Sequence, residues 1–97
     1  MSFFVFPDDI SWNEGDDRIE FGVAIGAYEG VVRVPRLVLR RLLARSLTPE
    51  QCVEAYHAHR TEIERAVEAK LRRRELAVDG NVDLTGADLR RVLDLPS

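Results

Sequence analysis

The sequence is poor in the residues that most often carry catalysis and metal binding. Among its 97 residues it has one cysteine, two histidines and one lysine. A single cysteine excludes an internal disulfide. Cys52, His57 and His59 together fall short of the four ligands of a structural zinc site. No run of about 18 apolar residues is present, so no membrane span is expected.

The sequence also lacks the motifs that mark common active sites. It contains no phosphate-binding loop, no serine elbow and no HExxH. Its first residues, MSFFVFPDD, have neither the basic start nor the apolar run of a signal peptide. We therefore expect a cytoplasmic protein that is not an enzyme and has no cofactor. Its length predicts one small domain over residues 1–97.

Charge is unevenly distributed along the chain, although the net charge is −3. Residues 1–30 carry a charge of −6, residues 31–74 carry +6 and residues 75–97 carry −3. Two interpretations stay open: the acidic ends fold back over the basic middle, or the middle presents a basic surface to an anionic partner. The acidic total favours the first.

The first third of the sequence predicts β-strands. The apolar run at 3–6, which Pro7 ends, predicts an edge strand. The acidic stretch after it is typical of turns, and we expect Trp12 there to lie over the core. From 17 to 26 every second residue is apolar, which predicts a strand whose buried face holds Ile19, Phe21, Val23 and Ile25. A four-residue turn at 27–30 and a strand at 31–34 complete a hairpin.

The rest of the sequence predicts three helices and one short strand. A helix at 36–45 is followed by a long helix at 49–73, a strand at 82–84 and a helix at 86–93. The long helix starts with a capping box, in which Thr48 is the N-cap and Gln51 reaches back to it. Thr85 and Asp88 form a similar box before the last helix. The predicted fold class is α+β.

Three stretches of this sequence resemble the bacterial domain of unknown function family 1488 (DUF1488). They are DRIEFGVAIGAYEGVVRVP, LTPEQCVEAYHAHRTEIERAVEAK and VDLTGADL. Within the second, the resemblance depends on the spacing of Cys52, Tyr56, Arg60, Ile63, Ala66 and Lys70. It implies a small single-domain α+β fold and a bacterial cytoplasmic setting. It implies no reaction, because the family has none assigned.

One stripe of the long helix contains two polar residues among apolar ones. The stripe consists of Cys52, Ala55, Tyr56, His59, Ile63, Ala66, Val67 and Lys70. We expect His59 to be a core histidine with one hydrogen bond. Lys70 either snorkels towards water or pairs with Asp88 or Asp83. Arg60, at the edge of the stripe, would complete a polar cluster with Lys70 and Asp88.

Two surfaces are candidates for function. The leading hypothesis is an interaction module that binds a protein partner or a second copy of itself, as a homodimer, through the edge strand Phe3, Phe4, Val5 and Phe6. The alternative is binding of nucleic acid or another anion through Arg36, Arg40, Arg41, Arg45, Arg72, Arg73 and Arg74. No aromatic residue is interleaved with these arginines, which disfavours nucleic acid.

Overall fold

Residues 3–6 and 10–93 are described by the computed structural model, and they form the predicted α+β fold. In chain order the elements are β1 (Ser11–Asn13), β2 (Arg18–Ile25), β3 (Tyr28–Pro35), α1 (Arg36–Leu43), α2 (Pro49–Ala58), α3 (Arg60–Arg72), β4 (Val82–Asp83) and α4 (Gly86–Leu93). The strands form one sheet in the order β1-β2-β3-β4. β3 pairs antiparallel with β2 and parallel with β4. No helix among the described residues has the length and apolar composition that crossing a membrane requires.

Helices cover one face of the sheet, and the core lies between them and the strands. The predicted alternation of β2 is confirmed for Ile19, Phe21 and Val23, which are buried, whereas Ile25 at the end of the strand is only partly buried. β3 adds Val32 and Val34 to the same face. The opposite face, which we call the open face, carries Arg18, Glu20, Gly22 and Ala24 of β2 and is partly exposed. The fold therefore has one protected and one open side of the sheet.

The hairpin turn is tighter than predicted. Ile25 pairs with Tyr28, which leaves Gly26 and Ala27 as a two-residue turn and extends β3 over residues 28–30. Gly26 has φ 58°, the positive φ that such a turn requires at its first position. The four-residue turn expected at 27–30 is wrong because Gly26, rather than Gly30, supplies that conformation.

Gly30 instead makes room for a side chain that ties the hairpin to a distant turn. A Cβ atom at Gly30 would lie 2.1 Å from the hydroxyl of Tyr28. That hydroxyl donates a hydrogen bond to the carbonyl of Gly80 at 2.8 Å. Nearby, the N–H of Val31 donates to the side-chain oxygen of Asn81 at 3.0 Å. These bonds hold the turn that precedes β4 against β3.

The amino-terminal residues differ from the prediction. The expected strand at 3–6 forms a single bridge, in which Val5 pairs with Ala24 of β2. The regular strand beside β2 is β1, which lies in the stretch expected to be a turn. Tertiary pairing explains this difference, since the polar sequence Ser-Trp-Asn gains its strand conformation from the exposed edge of β2. Trp12 packs against the core, as expected.

The helix predicted over 49–73 is broken at His59. This residue has φ −117° and ψ 25°, which is outside the helical region. The apolar stripe continues across the break, with Tyr56 buried before it and Ile63 buried after it. A straight helix over 49–73 would be about 37 Å long, whereas eight-residue strands such as β2 span about 27 Å. Both helices nevertheless bury their part of the stripe in the core.

His59 itself is not a core residue, so that expectation is wrong. It lies partly exposed at the junction of α2 and α3. Its N–H donates to the carbonyl of Ala55 at 3.0 Å, and its own carbonyl accepts from Ile63 at 2.9 Å. The two helices thus remain hydrogen-bonded end to end.

The predicted helix starts are confirmed, while one helix end differs. The N–H of Gln51 donates to Thr48 Oγ1 at 3.1 Å, and the N–H of Thr48 donates to Gln51 Oε1 at 2.9 Å, which completes the capping box. The helix expected at 36–45 ends at Leu43, because Ala44 takes a left-handed conformation with φ 55°. β4 and α4 match the predicted ranges to within one residue.

Replacing Gly30 with alanine should lower the free energy of unfolding by about 1–2 kcal/mol, because the new Cβ would displace the Tyr28 ring and break its hydrogen bond. Gly15→Ala is the control, since a Cβ there would come no closer than 3.6 Å to its neighbours. We expect the control to change stability by less than about 0.5 kcal/mol. Urea denaturation followed by circular dichroism measures both. Equal stability of the two variants would contradict the role given to Tyr28.

Candidate functional site

Lys70, in the last turn of α3, is held by two acceptors. Its Nζ donates to Asp88 Oδ2 at 2.7 Å and to the backbone carbonyl of Asp83 at 2.6 Å. The Lys70 side chain is 14% exposed. The structure therefore shows Lys70 paired with Asp88 rather than extended towards water. These two acceptors offset the hydration that an ammonium loses on burial.

Asp88 joins this pair to the start of α4. Its Oδ2 accepts from the N–H of Thr85 at 2.9 Å and from the Thr85 hydroxyl at 3.0 Å. Burial raises the pKa of Asp88, but the hydrogen bonds from Lys70 and Thr85 outweigh it, so the net pKa is lowered. A carboxyl with a lowered folded-state pKa stabilises the fold above its unfolded pKa. That contribution is lost as pH falls through the folded pKa.

A different arginine from the predicted one completes the polar cluster. Arg73 Nη2 lies 3.6 Å from Asp88 Oδ1. Arg60 begins α3, about 15 Å along the helix from Lys70, and donates to Glu64 Oε2 at 2.9 Å. The spacing of Arg73, three residues after Lys70, is a helical neighbour spacing that could have indicated it. We call Lys70, Arg73, Thr85 and Asp88 the α3–α4 cluster.

A second charged cluster, which the sequence did not indicate, lies at the β3–β4 pair. Arg33 donates to Asp79 Oδ2 at 2.6 Å and also to the carboxylate of Asp83. The hydrogen bond from Arg33 lowers the pKa of Asp79 to about 2. Asp83 thus contacts Arg33 through its side chain and Lys70 through its backbone. It connects the two clusters across the short strand β4.

Three of the seven arginines of the predicted anion surface are paired with acids. Arg36 pairs with Asp17 and lies over the Trp12 ring at 5.4 Å. Arg72 lies 3.6 Å from Glu68, and Arg73 is shared between Asp88 and Glu75. The Asp17, Asp79 and Asp88 contacts are what the first interpretation of the charge pattern expected. Arg36, Arg72 and Arg73 are therefore poorly placed to bind an external anion.

Seven other arginines carry no ion pair with any residue that the structure describes, and four of these lie on two neighbouring helices. These four are Arg40 and Arg41 on α1 and Arg90 and Arg91 on α4, all exposed. α1 and α4 pack against each other. Arg90 and Arg91 were not predicted, because the segment that contains them is acidic as a whole. We call this group the α1–α4 arginines. Arg45, Arg65 and Arg74 are also exposed, but they lie outside the two helices.

The bridge at Val5 gives the amino-terminal residues an inner and an outer side. Val5 exchanges two hydrogen bonds with Ala24, at 2.8 and 2.9 Å. Phe4 and Phe6 pack against the core, whereas Phe3 and Val5 are 72% and 55% exposed. The backbone N–H and C=O groups of Phe4 and Phe6 make no hydrogen bond with a described residue. We call residues 3–6 the edge segment.

The described residues give no support to a metal site. Across residues 3–6 and 10–93, no three His, Cys, Asp or Glu side chains are grouped as metal ligands. Cys52 is buried, and that burial raises the pKa of its thiol. A buried thiol with a raised pKa is poorly suited to nucleophilic chemistry.

These features define a small α+β domain with a one-sided sheet, two charged clusters that connect its elements, and an apolar edge that no described residue covers. The profile of the family described as "Protein of unknown function (DUF1488)" matches residues 5–84. The chain therefore belongs to the DUF1488 family, and the resemblance predicted from its sequence is confirmed.

The fold is also similar to a solved structure. A crystal structure of a protein of unknown function from the DUF1488 family of Shewanella loihica PV-4 superposes with a TM-score of 0.77. The two proteins are 20% identical, and the match covers 84% of this chain and 90% of the other. No curated protein matches this sequence. The comparisons thus establish family and fold.

Removing one partner of the Lys70–Asp88 pair should lower the free energy of unfolding more than removing both partners. We expect Lys70→Met and Asp88→Asn each to lower the free energy of unfolding by about 2 kcal/mol or more, because each leaves a buried polar group without its partner. The double variant should recover part of that loss. Urea denaturation of the four proteins gives the coupling energy, which we expect to exceed about 0.5 kcal/mol.

The exposed pair Glu68 and Arg72 provides the control cycle. The Arg72 side chain is 70% exposed, so water screens the interaction and the coupling should stay at or below about 0.5 kcal/mol. Additive losses at Lys70 and Asp88 would show that the two residues act independently.

Proposed function

We propose that this protein is an interaction module that binds another protein chain through its edge segment, residues 3–6. The observation that supports this proposal is that the backbone groups of Phe4 and Phe6 make no hydrogen bond with a described residue and lie beside two exposed apolar side chains. An exposed sheet edge with apolar side chains favours the addition of a further strand. The main-chain hydrogen bonds would position the partner, and burial of Phe3 and Val5 would stabilise the complex.

The surroundings of the edge segment support this choice. Ala24 and Gly22, which follow Val5 across the open face, are small, and Val31 next to Gly22 is 37% exposed. Val5 therefore has a small neighbour on the open face, and its own side chain stays accessible to a partner strand. We further propose that the role is not catalytic and that the setting is cytoplasmic, where one buried cysteine stays reduced.

A second candidate function is anion binding by the α1–α4 arginines. Four exposed arginines without a described ion pair, on two helices that pack together, are the observation in its favour. The acidic net charge of −3 opposes it, and we rank it below protein binding.

Replacing Val5 with lysine should abolish association without unfolding the protein. The charge would lie at the edge, where lysine disfavours strand addition, and the Val5 side chain is 55% exposed. Light scattering after size exclusion would report a loss of the dimer mass, and affinity capture would report loss of a bound partner. Val78→Lys is the control, because Val78 is fully exposed in the turn before β4, at the opposite edge of the sheet.

Two results would count against the proposal. One is a wild-type protein that stays monomeric at high concentration and retains no partner. The other is an association that Val5→Lys and Val78→Lys weaken equally.

The second candidate is tested by titration with a mixed-sequence oligonucleotide. We expect weak binding at low salt that disappears by about 0.15 M salt, because few phosphates are contacted. Binding that persists at this salt and is lost in the variant with glutamine at Arg40, Arg41, Arg90 and Arg91 would reverse our ranking. The control replaces Arg72 and Arg74 with glutamine, and it should bind like the wild type.

A further inference from the structure

The edge segment has a geometry that is self-complementary, and this bears on which partner it takes. In an antiparallel sheet the backbone groups of successive residues point alternately to the two neighbouring strands. Val5 uses its N–H and C=O on Ala24. Phe4 and Phe6 therefore direct theirs away from β2, one on each side of Val5.

From this geometry we infer that the occupant of the edge segment is a second copy of this chain, paired antiparallel with the two-fold axis beside Val5. Phe4 of each copy would pair with Phe6 of the other, and Val5 would lie opposite its own equivalent. Both copies would donate and accept through the same residues, as an isologous interface requires. The inference rests on the proposed function and names the partner of that same segment.

The side chains fit this arrangement. Residues 3–6 carry no charge, so two copies of the segment do not repel each other. Phe4 and Phe6 stay on the helix side of the sheet, and Val5 of each copy meets its equivalent on the open side. The two four-stranded sheets would then continue into each other across the axis.

Neighbouring surfaces are less suited to a second copy. The turn after β1 exposes Glu14, Asp16 and Asp17, which would repel the same residues of another copy. On the open face Arg18 donates to Glu20 at 2.7 Å, and Arg33 is bound to Asp79 and Asp83. Stacking two open faces would remove these charged groups from water. The edge segment avoids both costs.

The arrangement places two Val5 residues close enough for a disulfide when both are cysteine. Opposed residues that do not exchange hydrogen bonds in an antiparallel pair have Cα atoms about 4.5 Å apart, within the range that a disulfide spans. The native Cys52 is buried, with an exposure of 0%, and is out of reach. The full chain with Val5→Cys should therefore form a covalent dimer in a glutathione redox buffer.

The controls are Val31→Cys on the open face and Val78→Cys in the turn before β4. Both positions are exposed, at 37% and 110%, and both would be far from the proposed axis. On a non-reducing gel we expect at least about tenfold more dimer from Val5→Cys than from either control. More dimer from Val31→Cys would indicate stacking of the open faces and would overturn the inference.

Hydrogen exchange of the unmodified protein gives an independent measurement. The amides of Phe4 and Phe6 should become protected as protein concentration rises, together with the mass in light scattering. Suppose instead that Val5→Cys stays monomeric and these amides stay unprotected, while Val5→Lys still loses a captured partner. The self-pairing inference is then wrong, and the proposed function stands. If Val5→Lys changes neither mass nor capture, both are wrong.

Discussion

The ammonium of Lys70 is the point at which three elements of this fold meet. Lys70 belongs to α3, the carbonyl it binds belongs to β4, and the carboxylate it binds belongs to α4. An ammonium this far from water is stable only while both acceptors remain in place. Because Asp83 also binds Arg33 on the other side of β4, the short strand is fixed between two cations. A two-residue parallel strand would be a weak element without them.

Ion pairs also neutralise part of the uneven charge along the sequence. Asp17 from the acidic first third neutralises Arg36, and Asp79 from the acidic end neutralises Arg33. Each contact joins segments that are far apart in the sequence, so the charge pattern specifies which parts of the chain meet. Among the described residues, the α1–α4 arginines have no part in this pairing, because α1 contains no acid and the Asp88 of α4 faces Lys70. Positive charge therefore concentrates on one pair of helices, even though the protein is acidic.

The structural features that could be predicted from the sequence are those that depend on neighbouring residues. The alternation of β2 and the capping boxes of α2 and α4 depend on residues within a few positions of each other, and all three are present. The break at His59 could not be predicted, since the apolar stripe has the same period before and after it. β1 could not be predicted either, because its conformation comes from pairing with β2. In the polar cluster, Lys70 could be predicted because it occupies a buried position of a helix, and Asp88 because it lies at a helix start. Arg73 could not be chosen over Arg60 without knowing where α4 packs.

The open face and the edge segment differ in the free energy that association with a partner would require. On the open face, Arg18 and Arg33 already have carboxylate partners, so a binding partner would have to replace hydration of charged pairs and gain little in return. At the edge segment, the backbone of Phe4 and Phe6 exchanges water for equivalent hydrogen bonds at small net gain, while burial of Phe3 and Val5 adds a favourable apolar contribution. A contact limited to this four-residue segment would be small, and small interfaces are typical of weak, reversible complexes. The edge segment can add one further strand. This favours a partner that already has a matching strand.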